Sequence, residues 1–161
     1  MKDSFRFIAL PSESFVSLFG RSDAELQAMG ARRMVVDEKP GAPCRVSLAD
    51  AEVGETVILL PFTHHDVESA YRASGPIFVR RGASTASPAL GEVPAMLRHR
   101  LLSVRAYDAA AMMVGAEVVE GSEIEAAIRR LFANQDASYL HVHNARPGCY
   151  NCRVERATSA A

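Results

Sequence analysis

Apolar and polar residues alternate with a period of two along much of this chain, which is typical of half-buried β-strands. The alternation predicts strands over residues 4–10, 32–38, 44–48, 76–81, 101–108 and 111–121. A closing β-hairpin is predicted over residues 139–156. The segment VILLPF at residues 57–62 is apolar on both strand faces, which indicates a central strand, from residue 56, that is covered on both sides.

Three segments instead carry apolar residues at helical spacing. Residues 12–20 predict a short helix capped by Ser12, and Ser22 with Glu25 predicts a second short helix that ends at Gly30. The third helix is predicted over residues 122–135, where Ser122 and Glu125 match a capping box. Its apolar stripe consists of Ile124, Ile128, Leu131 and Phe132.

The order of these elements predicts an α+β fold. Most connections between the strands are too short for a parallel crossover, so the sheet should be mainly antiparallel. We expect a twisted sheet of about seven to eight strands, with two short N-terminal helices and one longer helix before the C-terminal hairpin. Residues 1–157 are predicted to form a single domain, and residues 158–161 a flexible C-terminal tail.

Composition narrows the functional classes. The chain has 161 residues, of which 48% are hydrophobic and 23% charged, and a net charge of −1. Such a charge gives no overall attraction to nucleic acid or to an anionic membrane surface, and the apolar runs are too short to span a bilayer. The N-terminus lacks a secretory pattern, and three cysteines are an odd number. We therefore expect a cytoplasmic protein without nucleic-acid or membrane partners.

The C-terminal hairpin concentrates the chemically interesting residues. His141 and His143 share one strand face, whereas Cys149 and Cys152 point to opposite faces of a regular strand, which argues against a redox cysteine pair. Pairing Asn144 with Cys149 would bring Cys152 to His141 but would mix polar and apolar residues on both faces. Pairing His143 with Cys149 across the loop NARPG separates the two classes. We adopt this second register, which places Cys149 beside the histidines.

This register predicts a polar patch that could bind a small anionic ligand. If strand 101–108 neighbours the hairpin, Arg105 joins the histidine face and needs a carboxylate from Glu117, from Asp108 or from a ligand. A second arginine precedes the strand-entry turn Gly75-Pro76. The candidate ligand-binding residues are Arg72, Arg105, His141, His143, Cys149 and Arg153.

Two other functional classes stay open. An enzyme could use Cys149 beside His143 as an activated thiol, or a metal such as zinc on His141, His143 and Cys149. His64 and His65, which we place in the loop after the central strand, could add a ligand. No metal motif accompanies these residues, so no cofactor is predicted. An interaction module would instead use the exposed sheet face to form a homodimer.

Four segments together carry a family resemblance: PCRVSL at 43–48, YRASGPIFVR at 71–80, RAYDA at 105–109 and HNARPGCY at 143–150. In order and spacing they resemble the bacterial proteins grouped as domain of unknown function 1203. The resemblance covers the chain from the first strand to Arg156, and the combination of segments is specific. It implies no activity and no ligand residues. Cys152 lies outside the family's segments, in agreement with a core position.

Overall fold

A computed structural model describes residues 5–157 and has the predicted α+β fold. Ser4 of the first predicted strand and the predicted flexible tail at 158–161 lie outside the described residues. The described residues form eight strands in two antiparallel sheets, where the sequence suggested one sheet. Among the same residues, no helix has the length and apolarity needed to cross a membrane.

The larger sheet has five strands in the order β1-β8-β7-β5-β6. These strands are β1 (Phe5–Ile8), β5 (Leu101–Tyr107), β6 (Met113–Glu120), β7 (Tyr139–Asn144) and β8 (Tyr150–Arg156). The predicted hairpin is therefore present as β7 and β8, and β5 pairs with β7 as the patch hypothesis requires.

The smaller sheet has three strands in the order β2-β3-β4, namely β2 (Arg32–Val35), β3 (Thr56–His65) and β4 (Ala73–Arg80). The central strand β3 is covered on both sides, as its apolar sequence predicted. Ile58 belongs to one buried cluster, whereas the neighbouring Val57 belongs to another. Both faces of β3 are therefore buried against other parts of the protein.

The helices are shorter than predicted. Residues 12–20 form two 3₁₀ turns, Ser12–Ser14 and Val16–Gly20, without a cap from Ser12. Ser22 does cap α1 (Asp23–Ala28), since its Oγ accepts a hydrogen bond from the Glu25 amide at 3.1 Å. The last helix, α2 (Ile124–Phe132), follows a 3₁₀ turn and has no side-chain cap, so the capping box predicted at Ser122 is wrong.

The main hydrophobic core lies between one face of the five-stranded sheet and α2. The predicted helix stripe is buried in it, together with Leu140 and Val142 of β7 and Cys152 and Val154 of β8. Cys152 is 1% exposed within this core, which confirms its prediction as a core residue. The opposite face of the same sheet therefore remains for polar residues, and the smaller sheet approaches it.

Two loop and strand assignments differ from the sequence reading, and both matter for function. The alternating residues 44–48 form no strand but a turn between single bridges at Cys44 and Asp50, which β-periodicity alone does not distinguish from a strand. Conversely, β3 continues past Pro61 to His65, because the ladder with β4 resumes after an irregularity. His64 and His65 therefore lie on a strand and not in a loop.

Candidate functional site

The polar face of the five-stranded sheet brings several of the predicted site residues together. Its register places Arg105 opposite His141 and Ser103 opposite His143 on neighbouring strands. On the other side of β7, His141 lies opposite Arg153. Side chains directly opposite each other on antiparallel strands are close enough to interact. The sheet thus assembles the Arg105, His141, His143 and Arg153 part of the predicted patch.

The end of β3 covers this face with two more histidines. The ring centroid of His65 lies 4.8 Å from that of His141, and the centroid of His64 lies 5.2 Å from that of His143. Four of the five histidines in the chain therefore meet in one place. We call this group the histidine layer; it consists of His64, His65, His141, His143, Tyr107, Tyr139 and Tyr150.

The histidine layer is packed and largely sealed from solvent. His141 and His143 are each 2% exposed. His65 is held from both ring nitrogens, by the Tyr71 carbonyl at 2.8 Å and by the Tyr139 hydroxyl at 2.6 Å. In contrast, Nδ1 of His64, Nδ1 of His141 and Nε2 of His143 are buried without a hydrogen-bond partner. Buried polar atoms of this kind are uncommon in folded proteins.

Burial favours the neutral form of three imidazoles in this layer, those of His64, His141 and His143. Burial lowers the pKa of His64 to about 4, with smaller contributions from His65 and Arg105. Burial likewise lowers the pKa of His143 to about 4 and that of His141 to about 2. A buried imidazolium would lose its hydration and face neighbouring cations, so the uncharged form is favoured. The positive charges next to the layer are therefore those of Arg105 and of Arg153, which lies over the Tyr139 ring.

The hairpin register differs from the predicted one, and the difference moves Cys149. His143 pairs with Tyr150 and not with Cys149, and Val142 pairs with Cys152. An irregularity between these two pairs accommodates Asn151, whose amide is fully buried and donates to Asn144 Oδ1 at 3.0 Å. Asn151 Nδ2 gains a buried hydrogen bond, although Asn151 Oδ1 has no partner, and the irregularity breaks the clean alternation on which the prediction rested. Tyr150 consequently enters the histidine layer, where its ring stacks on His64 at 5.0 Å.

Cys149 instead lies next to Arg45, a residue that the sequence reading placed on an ordinary strand. Arg45 Nη2 donates to Cys149 Sγ at 3.3 Å, and Asn144 Nδ2 donates to the same sulfur at 3.4 Å. Arg45 also donates from Nε to the Tyr150 carbonyl at 2.8 Å and from Nη1 to the Pro43 carbonyl. The sulfur is therefore an acceptor held by a guanidinium and an amide.

Arg45 carries a buried positive charge. The residue is 1% exposed, and no ion pair joins it to any carboxylate within residues 5–157. Burial lowers the pKa of its guanidinium, whereas the neighbouring Cys149 opposes that effect. Buried charges are normally paired, because desolvation without a partner is costly. Arg45 is thus the cation in this part of the molecule that most needs an anionic neighbour.

A cavity of about 530 Å³ opens beside Arg45 and Cys149. We call it the arginine cavity. Its polar lining residues are Arg45, His99, Arg100, Asn144, Arg146 and Cys149. Its apolar lining residues are Pro40, Pro43, Leu59, Pro76, Phe78, Leu101 and Pro147, with Gly41 at the same wall. Both the volume and this mixture of an apolar wall with a few polar groups are typical of sites for small molecules.

Two basic lining residues of the arginine cavity, His99 and Arg100, share a buried carboxylate, Asp50, which does not itself line the cavity. Arg100 Nη2 lies 2.6 Å from Asp50 Oδ1, and His99 Nε2 lies 3.0 Å from Asp50 Oδ2. Burial raises the pKa of Asp50, but the hydrogen bonds from Arg100 and His99 outweigh it and hold the pKa below the usual value. The charge of Arg100 is therefore already balanced, while that of Arg45 is not.

Three predicted arginines, Arg72, Arg105 and Arg153, lie outside the arginine cavity and have contacts of their own. Arg72 is exposed and pairs with Asp66 at 3.0 Å. Arg153 pairs with Glu155 at 2.9 Å and lies over the Tyr139 ring at 4.1 Å. Arg105 donates to Ser103 Oγ at 3.2 Å, whereas the predicted internal partner Glu117 pairs with Arg130. None of these three arginines lines the arginine cavity.

The metal hypothesis has no assembled ligand set. Within residues 5–157, no group of three or more His, Cys, Asp or Glu side chains is placed to hold a metal ion. The proposed trio is divided, because His141 and His143 belong to the histidine layer while Cys149 is bound by Arg45.

The sequence reading missed Arg45, Asp50 and His99. Arg45 stands in the segment PCRVSL, which the family resemblance had singled out, and an arginine between two core positions was the available signal. Asp50 and His99 are separated by 49 positions, and no local pattern joins them. Only the packing of residues 43–50 against the start of β5 brings these two side chains into contact.

Comparison with known proteins identifies the family. The family model described as protein of unknown function (DUF1203) matches residues 41–156, so the chain belongs to this family and the resemblance is confirmed. No curated protein and no solved structure matches the chain. The matched range includes all the polar lining residues of the arginine cavity.

Proposed function

We propose that this DUF1203 protein binds a small anionic ligand, and that the ligand occupies the arginine cavity and not the histidine layer. The observation that carries the proposal is the buried guanidinium of Arg45, which adjoins a cavity of about 530 Å³ and has no carboxylate partner among residues 5–157. A guanidinium has five N–H donors, and three protein acceptors are found for Arg45. Donors therefore remain for an anion.

The surroundings favour a carboxylate attached to an apolar body. Phe78 and Leu59 contribute an apolar wall, whereas the charged groups are concentrated at Arg45 and Arg146. Arg146 is exposed at the rim and has no ion pair with any carboxylate in the described part of the chain. Charge-assisted hydrogen bonds from arginine orient carboxylates, while the apolar contacts contribute affinity.

Calorimetric titration with benzoate tests this proposal, with benzamide as its uncharged counterpart of the same shape. We expect benzoate to bind and benzamide to bind at least about ten-fold more weakly, because hydrogen bonds to charged groups contribute about 1.5–3 kcal/mol. Arg146→Gln should weaken benzoate binding several-fold without unfolding the protein, since this side chain is exposed. Equal affinity for both compounds would refute an anion site.

A matched variant separates the two candidate locations. Arg105→Gln removes one cation beside the histidine layer and leaves the arginine cavity intact, while the other cation there, Arg153, is already paired with Glu155. The proposal requires benzoate affinity to be unchanged in Arg105→Gln and reduced in Arg146→Gln. The reverse result would return the ligand to the histidine face.

A further inference from the structure

The arginine cavity contains two chemical groups that anion binding does not use. One is the Cys149 thiol, which is only partly buried and lines the cavity. The other is the imidazole of His99, which lines the same cavity and is held by Asp50 at 3.0 Å. A thiol and an oriented imidazole in one cavity are the components of nucleophilic catalysis.

The hydrogen bond to Asp50 fixes the chemistry of His99. An ionised carboxylate only accepts hydrogen bonds, so His99 Nε2 donates to Asp50 and the lone pair of the neutral ring lies on Nδ1. Arg100 Nη1 lies 3.4 Å from the same Nε2 and 3.0 Å from Asp50 Oδ2. The side chains of His99 and Arg100 therefore both donate to the Asp50 carboxylate. His99 is partly exposed, and its Nδ1 has no hydrogen-bond partner among residues 5–157. His99 therefore has the form of a general base.

The donors around Cys149 serve the nucleophile. Arg45 and Asn144, which are 1% and 5% exposed, both donate to Sγ and thereby stabilise negative charge on the sulfur. Asn144 is itself fixed by the buried amide of Asn151. Both donors lie within hydrogen-bond distance of the sulfur, and donors placed near a nucleophile are what an oxyanion hole requires.

We infer that Cys149 and His99 catalyse acyl transfer or hydrolysis of a small activated acyl compound, an ester or thioester with an anionic group. This inference rests on the proposed function for the recognition of the anionic group. Cys149 Sγ attacks the carbonyl carbon while its proton passes to His99. The tetrahedral intermediate expels the leaving group, which takes the proton from His99, and an acyl thioester remains on Cys149. Water or another nucleophile then cleaves the thioester and restores the thiol.

His143, the base suggested by the sequence, does not fit this role. Its Nδ1 donates to the Gly148 carbonyl at 3.0 Å, and its Nε2 is buried inside the histidine layer. His143 also does not line the arginine cavity. The structure therefore assigns the base to His99.

Reaction with 4-nitrophenyl acetate tests the inference. We expect release of 4-nitrophenolate by the wild-type protein, with one acetyl group recovered on the peptide that contains Cys149. Cys149→Ser should abolish the acetylated peptide, and His99→Gln should slow nitrophenolate release by about 100-fold. His64→Gln is the matched control, since His64 is a partly exposed histidine outside the cavity, and its rate should equal that of the wild type.

Two results would overturn the inference: acetylation of Cys149 no faster than that of free cysteine, or an unchanged rate in folded His99→Gln. Benzoate titration of Cys149→Ser distinguishes this failure from failure of the proposed function. If Cys149→Ser binds benzoate and the wild-type protein is not acetylated, the acyl chemistry is refuted and the anion site is supported. Acetylation that benzoate neither slows nor competes with refutes the anion site and leaves the thiol chemistry.

Discussion

The histidine layer and the arginine cavity lie on either side of Tyr150 and differ in the property that matters for function. The Tyr150 ring stacks on His64 in the layer, while its backbone carbonyl accepts from Arg45 beside the cavity. The layer holds four histidines but is packed and largely sealed, and burial keeps the pKa values of His64, His141 and His143 low. The cavity holds fewer titratable groups, yet it is open and contains an unbalanced charge. Accessibility and uncompensated charge therefore identify a candidate site better than the number of reactive residue types.

The largest effect expected is on Arg45, because the arginine cavity depends on a buried cation. Arg45→Met leaves the Tyr150 and Pro43 carbonyls without this donor, and we expect a loss of about 3 kcal/mol in the free energy of unfolding. Urea denaturation measures the loss. Arg32→Met, at an exposed position, is the control and should change stability by less than about 0.5 kcal/mol. Equal stability of the two variants would mean that Arg45 has no structural role.

The histidine layer should appear in the dependence of stability on pH. The pKa values of His141 and His143 in the folded protein are about 2 and about 4, below the ordinary value of 6.5. The unfolded state therefore binds more protons below pH 6.5, and stability must fall as the pH decreases from there towards 4. These two residues should together remove about 4 kcal/mol between pH 7 and pH 5.

Urea denaturation at a series of pH values measures this loss. The double variant His141→Gln, His143→Gln should lose stability at pH 7 but show a flatter profile between pH 7 and pH 5. A profile as steep as that of the wild type would assign the acid sensitivity to other groups, and the sealed character of the layer would be in question.

A smaller effect is expected at Asn151, which links the two regions through the hairpin. Asn151→Ala removes the donor to Asn144 Oδ1 and should cost about 1–3 kcal/mol. Because Asn144 then loses its anchor, alkylation of Cys149 by iodoacetamide should also change, as mass spectrometry of the labelled peptide would show. Asn134→Ala, at an exposed position, provides the comparison. A stability loss without any change at Cys149 would separate the hairpin irregularity from the cavity.

The smallest effect is expected at Arg72, the one arginine predicted from the sequence that lies apart from both regions. Its ion pair with Asp66 is exposed, so Arg72→Gln should change stability by less than about 0.5 kcal/mol. Benzoate affinity should equal that of the wild type in calorimetric titration. A clear loss of affinity would extend the binding site beyond the arginine cavity.

Much of the fold was readable from local patterns. The period-two alternation located most of the strands, and the spacing of Ile124, Ile128 and Leu131 identified the buried stripe of α2. The face shared by His141 and His143 also followed from alternation, because side chains on a strand point to opposite faces in turn. Residues 44–48 have the same alternation but form a turn, because their apolar side chains are buried by loop packing and not by a ladder.

The candidate site was only partly readable. The sequence predicted that His141 and His143 share a face. It did not predict that His64 and His65 pack on that face, because these two histidines of β3 reach it from another sheet. The predicted hairpin register is wrong at Asn151, whose buried amide donates to Asn144 across the hairpin. The register was predicted from the separation of polar and apolar faces, and this criterion takes no account of a specific hydrogen bond between two amide side chains. Because of the same irregularity, Tyr150 and not Cys149 lies beside the histidines.

The sequence by itself determined the α+β class, the positions of most strands and of α2, the core location of Cys152 and membership of the DUF1203 family, because each depends on local periodicity or on a linear motif. Only the tertiary structure decided that the strands divide into two sheets, that Arg45, Cys149 and His99 line one cavity, and that Asp50 holds His99 there. These residues come from distant segments, and their proximity results from how the two sheets and the connecting loops pack. Burial of a charge is likewise a property of the packed chain, since no stretch of sequence specifies what surrounds it.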